Sequence, residues 1–273
     1  MEKDSVIKVA IIDMNNGMPN QGIKEIGSVL EQYRADNDVH LSYTTYDVRY
    51  KKELPDLSYD IYISSGGPGS PFDGKDEPWE KGYFNLLDAI KEFNENTEGR
   101  KKYVFLICHS FQMACRKYEL GKISKRKSTA FGIYPISLTK NGSSDPVFEG
   151  LPNPFYAVDS RDWQVLQGDI ESFEGHEAEV SALEKYRPNV DLERCIMSIR
   201  FSKEIVGTQF HPEANAEGMR LYLLDPKKKK AIIELLGEEK YNDMLQNLED
   251  PNGIALTQSL ILPNFLNEAV FQK

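Results

Sequence analysis

An α/β fold with a mostly parallel central sheet flanked by helices is the architecture this sequence predicts. From Ile7 to Tyr118, short apolar runs alternate with segments of helical periodicity, the pattern of strands joined by crossover helices. Within that region the run Tyr103-Val104-Phe105-Leu106-Ile107 is uninterrupted and follows two lysines, as expected of a strand buried on both faces. After Tyr118 the texture changes to short strand-like segments separated by turns, and from about Ala214 it becomes helical. This predicts an antiparallel addition at the sheet edge and a helical C-terminal extension. The expected division is therefore 1–214 for the α/β domain and 215–273 for helices packed on it.

Each element has a local reason. Ile7–Ile12 is a short apolar run and the expected first strand; a loop rich in Asn, Gly and Pro follows over Asn15–Gly22. Ile23, Ile26, Leu30 and Tyr33 mark one face of a helix. His40–Tyr46 alternates and carries β-branched residues, and Tyr59–Ile63 is the third strand. Tyr83, Leu87, Ile90 and Phe93 outline a second helix, and Phe111, Ala114, Cys115 and Tyr118 a third, directly after the central strand. Five further strands are expected at Gly132–Thr139, Phe155–Leu166, Glu179–Tyr186, Cys195–Phe201 and Ile205–His211. In the extension, Ala231, Ile232, Leu235 and Leu236 form one amphipathic face, and Tyr241, Met244, Leu245 and Leu248 another. The segment Leu256–Val270 contains Pro263, which is expected to kink or end a helix. Lys227–Lys230 reads as a solvated helix face.

Composition narrows the function. The 273-residue chain is 40% hydrophobic and 28% charged, ordinary for a globular protein, and its net charge is −10. That charge argues against nucleic acid and against anionic membrane as partners. No apolar run approaches ~20 residues, so no span of a bilayer is expected. The N-terminus places acidic residues before the first strand and lacks a signal-peptide pattern. With three cysteines (108, 115 and 195), it points to a reducing cytoplasm and no disulfide framework.

Three short stretches carry chemistry. Cys108 falls where the apolar run stops and the helical pattern begins. A sharp turn there lifts a nucleophile clear of the sheet, aims its sulfur at a helix N-terminus and turns the next backbone N–H, that of His109, towards a developing oxyanion. Gly66-Gly67-Pro68-Gly69 follows the third strand, and glycines at such a place let the backbone approach a ligand closely. The loop lacks the Lys-Ser/Thr of a P-loop and the spacing of a dinucleotide fingerprint. In His211-Pro212-Glu213, extended backbone puts the imidazole and the carboxylate on one side, and Pro212 keeps His211 extended. A carboxylate beside an imidazole fixes its tautomer, and a histidine so held can deprotonate a thiol.

Together, the strand-end Ser65-Gly66-Gly67-Pro68-Gly69-Ser70, the strand-end Cys108 and His211-Pro212-Glu213 resemble class I glutamine amidotransferases, with the glutaminase domain of GMP synthetase and its free-standing relatives as the nearest likeness. Asp145–Pro152 is similar to the family's acidic-proline segment, and the likeness runs from about Ile7 to Ala214. The resemblance implies Cys108 as nucleophile, His211 as base and Glu213 as its orienter. It also implies oxyanion or substrate contacts from Gly66, Gly67, His109 and Gln112. The implied reaction is thiolate attack on the glutamine carboxamide, loss of ammonia and hydrolysis of a γ-glutamyl thioester, without metal or organic cofactor. Glutamine or another γ-glutamyl compound is then the substrate, and an ammonia-accepting synthase subunit the implied partner.

The sequence departs from the family in two places. The family's elbow, Gly-x-Cys-x-Gly-x-Gln, is here Leu106-Ile107-Cys108-His109-Ser110-Phe111-Gln112, which implies a reshaped pocket. Asp159-Ser160-Arg161-Asp162 stands where relatives carry a Ser-His-Gly-Asp type turn. Cys115 and Cys195 read as core, and His40 and His176 as surface groups. Three classes fit: an amidotransferase subunit feeding a partner, a free-standing hydrolase of γ-glutamyl amides or peptides, and a catalytically silent binding relative.

Overall fold

The computed structural model describes residues 6–167, 177–189, 191–250 and 253–272. The acidic start of the chain and His176 lie outside the described residues. Nine strands form one sheet in the order β2-β1-β3-β4-β9-β8-β7-β5-β6. The parallel part comprises β1 (Ile7–Asp13), β2 (Leu41–Asp47), β3 (Ile61–Ser64), β4 (Tyr103–Ile107) and β9 (Ile205–Thr208). The antiparallel part comprises β8 (Ile196–Arg200), β7 (Glu179–Glu184), β5 (Lys122–Leu138) and β6 (Phe155–Leu166). Among the described residues no helix is long and apolar enough to cross a membrane.

Alternation along the strands divides the core into two layers. Val9, Ile11, Ile61, Ile63, Phe105 and Ile107 face α1 (Gln21–Asn37) and α7 (Ile254–Phe271). Ala10, Ile12, Tyr62, Val104 and Leu106 face α2 (Pro78–Asn96) and α3 (His109–Lys117). Helices on both faces oblige every residue of β4 to be buried, which is why that strand reads as a continuous apolar run. A third cluster joins α4 (Ala216–Leu224), α5 (Pro226–Leu236) and α6 (Glu238–Asn247) to Ile133 and Val158 of the β5–β6 ribbon.

Three elements differ from the sequence expectation. Ile205–Thr208 is a parallel strand at the centre of the sheet, beside β4, and not part of the antiparallel edge; all four residues are buried, as a central position requires. β5 begins at Lys122, ten residues before the expected Gly132, because its polar first half pairs with β6 across an irregular register between Lys125 and Ala130. Pro263 does not end its helix: α7 runs through it. Burial of Ile261, Leu262, Phe265 and Leu266 in the sheet-facing layer offsets the hydrogen bond that Pro removes. Lys227–Lys230 is the exposed first turn of α5, started by Asp225, whose carboxylate accepts from the N–H groups of Lys227 and Lys228.

Candidate active site

The loops at the carboxyl ends of β1, β3, β4 and β9 converge on Cys108. That residue caps α3 with φ 49° and ψ −96°, a conformation sparsely populated by residues with a side chain and costing on the order of 1–3 kcal/mol. The surroundings impose it. The Cys108 N–H donates to the Thr208 carbonyl at 2.7 Å, holding the turn to β9, and the Cys108 carbonyl accepts from the Gln112 N–H at 3.0 Å, closing the first turn of α3.

The elbow accommodates both residues that stand where glycine was expected. Leu106 is opposite Gly207 in the β4–β9 register. A Cβ on Gly207 would lie 3.2 Å from Leu106 Cβ and 2.9 Å from the Phe111 ring, so the glycine at 207 leaves the space that the Leu106 side chain needs. Ser110 is fully buried, and its hydroxyl meets the Ser65 carbonyl at 2.6 Å and the Ser64 hydroxyl at 2.7 Å; the Tyr83 hydroxyl donates to Ser64 at 3.1 Å. The added oxygen thus ties the first turn of α3 to the end of β3.

His211 and Glu213 lie past the end of β9. His211 Nδ1 is 2.8 Å from Glu213 Oε1, and the His211 N–H donates to the Val158 carbonyl at 2.9 Å, fixing the backbone against β6. Burial works against a charge on the imidazole, but the Glu213 carboxylate and then the nearby Cys108 sulfur outweigh it and hold its pKa well above the ordinary histidine value. Glu213 is buried and its Oε2 has no partner among the described residues.

The two loop glycines are placed differently. A Cβ on Gly66 would come within 2.9 Å of the His211 ring and 3.4 Å of Cys108 Cβ, whereas one on Gly67 would strike the Met14 carbonyl at 2.2 Å. Gly66 therefore abuts the His211 and Cys108 side chains and Gly67 backs onto the end of β1. Arg49 braces this loop, donating to the Pro68 carbonyl at 2.7 Å and the Met14 carbonyl at 3.1 Å. His109 is buried, and burial, followed by the charges of Arg49 and Arg116, lowers its pKa to about 3. Its ring is neutral and offers no competing base.

Gln112 does not stand open in the pocket. Its Nε2 donates to the Trp163 carbonyl (3.1 Å) and to Gln209 Oε1 (3.0 Å), and Gln209 Nε2 lies 3.6 Å from Cys108 Sγ. Gln209 is a site residue missed in the sequence, although it precedes His211 by two positions and so shares its side of the extended chain. The Ser160 carbonyl accepts from the Cys108 thiol at 3.7 Å. Asp159–Asp162 lies in the middle of β6, the strand expected over Phe155–Leu166. Asp159 and Arg161 point inward, paired through both carboxylate oxygens at 3.0 Å, while Ser160 and Asp162 face out.

The remaining cysteines are buried and free. Cys115 sits on α3 in the core, where burial holds its thiol well above the ordinary value. Cys195 is buried beside polar groups rather than in purely apolar surroundings: its thiol lies 3.1 Å from Gln164 Oε1 and 3.4 Å from Arg126 Nη1. His40 is exposed. Sequence gave no signal for Glu25, which reaches from α1 to accept from the Asn215 N–H at 3.2 Å beside Glu213.

Comparison with known proteins supplies a family. The family described as Glutamine amidotransferase class-I matches residues 22–228. No curated protein matches the chain in sequence. Among solved structures, a glutamine amidotransferase from Thermotoga maritima superposes with a TM-score of 0.68 at 17% identity, covering 98% of this chain and 99% of its own. A glutamine amido transferase from Methylobacillus flagellatus gives 0.65 at 12% identity, covering 98% and 95%. The glutaminase domain of CTPS from Trypanosoma brucei, with bound acivicin, gives 0.57 at 12% identity, covering 76% and 86%. At these identities the likeness is one of fold.

Proposed function

The chain belongs to the class I glutamine amidotransferase family, and from that premise we propose that it hydrolyses the carboxamide of glutamine through a thioester on Cys108. The observation that carries the reading is the strained Cys108 elbow beside a histidine already paired to a buried carboxylate. His211, oriented through Nδ1 by Glu213, takes the thiol proton, and the Cys108 sulfur attacks the γ-carbonyl carbon. The oxyanion that forms lies between the Gly66-Gly67 loop and the start of α3, where backbone N–H groups of Gly67 and His109 stabilise it. Gln112 acts through Gln209, whose amide lies against the sulfur. Collapse of the intermediate breaks the C–N bond, and His211 gives its proton to the departing ammonia. Water then attacks the thioester, returning the thiol and glutamate.

An ammonia-accepting synthase as partner is supported by the likeness to a CTPS glutaminase domain. The test is release of ammonia and glutamate from glutamine by the purified protein, alone and with candidate synthase subunits. Stoichiometric release of both products that is lost in Cys108→Ala is expected. Turnover undiminished in Cys108→Ala would refute the nucleophile.

A further inference from the structure

A chamber adjoins the candidate reaction centre, and we propose that it receives the amine half of a larger γ-glutamyl amide, so that the chain prefers γ-glutamyl conjugates of aromatic or branched alkyl primary amines to glutamine itself. This inference rests on the thioester chemistry proposed above and names the substrate that chemistry serves.

The chamber has a volume of about 720 Å³ and lies between the start of α1, the start of α4 and the β5–β6 ribbon. His211, Glu213 and Ser160 line it on one side, and the last of these presents its carbonyl to the Cys108 sulfur. The leaving nitrogen of an amide must be the atom that His211 protonates. A leaving group therefore emerges beside the imidazole, and the imidazole is in the wall of this chamber. Ammonia is about as large as water, whose share of liquid volume is ~30 Å³, so the space is far larger than ammonia as a leaving group requires.

The ribbon and α4 supply an apolar side of the lining, while the start of α1 contributes Asn20, Lys24 and Glu25. Phe131 and Val158 come from the ribbon, and Met219, Leu221 and Tyr222 from α4. The Phe131 and Tyr222 rings stand 5.7 Å apart at 41° and offer an aromatic surface to a flat side chain. Leu221 and Tyr222 remain 64% and 40% exposed, so they have apolar area left to cover.

The step balances with water as the only co-reactant. Cys108 Sγ bonds to the γ-carbon, the C–N bond breaks, and the nitrogen takes the proton held by His211 and leaves as the free primary amine. Water then hydrolyses the thioester to glutamate and the thiol.

The experiment compares kcat/KM for γ-glutamyl-benzylamide and for glutamine in the wild-type chain and in Phe131→Ser and Tyr222→Ala, both at partly exposed positions outside the catalytic groups. The wild type is expected to turn over the benzylamide at least about tenfold more efficiently than glutamine, and each variant to lose on the order of tenfold on the benzylamide while staying within about twofold on glutamine. Efficient glutamine turnover with no gain on the benzylamide, or an equal loss on both substrates in the variants, overturns the inference and leaves the proposed glutaminase reaction standing. Turnover of neither substrate overturns that reaction and this inference with it.

Discussion

A side chain at positive φ, a partly buried imidazole held above its ordinary pKa and a carboxylate with one oxygen unpartnered among the described residues meet around Cys108. Together they support the proposal that Cys108 is a reactive thiol. A glutamine-like alkylating analogue should label Cys108 and spare Cys115 and Cys195, whose thiols burial pushes upward; peptide mapping that finds the label on either of the others would count against the assignment. His211→Ala should lower turnover by about 10²–10⁴-fold, the usual worth of a positioned base. Glu213→Gln should cost less, since it alters only the orientation and charge of the ring, and equal activity in wild type and His211→Ala would sink the triad. Glu25 adds a pH effect. Burial raises its carboxyl to about 7 from 4.5; the Asn215 N–H pulls it down, Glu213 adds to the rise and His211 opposes it. A raised folded-state pKa means that the folded chain binds more protons than the unfolded one, so stability falls as pH rises through 4.5 to 7. The loss is at most ~3 kcal/mol, at 1.36 kcal/mol per pKa unit. Glu25→Gln should flatten that decline, and melting temperatures at pH 5 and pH 8 that shift equally in both proteins would contradict it.

At the scale of elements, the elbow depends on β3, β9 and α3 meeting without spare room. Gly207→Ala places a methyl 2.9 Å from the Phe111 ring, 3.1 Å from Phe201 and 3.2 Å from Leu106 Cβ, so overpacking of about 1–3 kcal/mol is expected. Urea unfolding measures it, and combining the change with Leu106→Gly, which removes that Cβ, should cost less than the sum of the two single changes; an undiminished midpoint in Gly207→Ala would show that the strands yield freely. This close contact between neighbouring strands also marks how far sequence could be read. The placement of Cys108, His211 and Glu213 past strand ends was legible because each carries a local signature. The contact of Leu106 with Gly207, the amide pairing of Gln112 with Gln209, and the reach of Glu25 to Asn215 depend on registers between segments far apart in the chain, which no local pattern encodes. For the same reason the apolar run of β4 announced its burial on both faces, while the polar first half of β5, paired along one edge with β6, did not announce itself as strand.

At the scale of the whole molecule, α7 closes the face of the sheet opposite the elbow helix. Phe265 packs edge-on to Phe105 at 5.1 Å and lies 6.2 Å from the Tyr103 ring, so the last helix rests on the strand that delivers Cys108. Polar ties surround that packing: Arg100 donates to the Ala269 carbonyl at 2.8 Å, Asn264 to the Glu149 carbonyl at 2.9 Å, and Gln272 exchanges two hydrogen bonds with the Lys101 backbone. Gln258 donates to the Glu213 carbonyl at 3.1 Å, linking the same helix to the backbone of the residue whose carboxylate pairs with His211. A helix so placed should unfold with the sheet and not before it. Phe265→Ala is then expected to cost about 3–5 kcal/mol, a large share of the ~5–15 kcal/mol that holds a typical domain. Wild-type unfolding in urea, followed by far-ultraviolet circular dichroism and by the accessibility of Cys115, should give coincident single transitions, both moved to lower urea in the variant. An early phase that releases helical signal while Cys115 stays protected, with the later transition unmoved by Phe265→Ala, would mean that α7 is a detachable cover and that the sheet and its elbow stand without it.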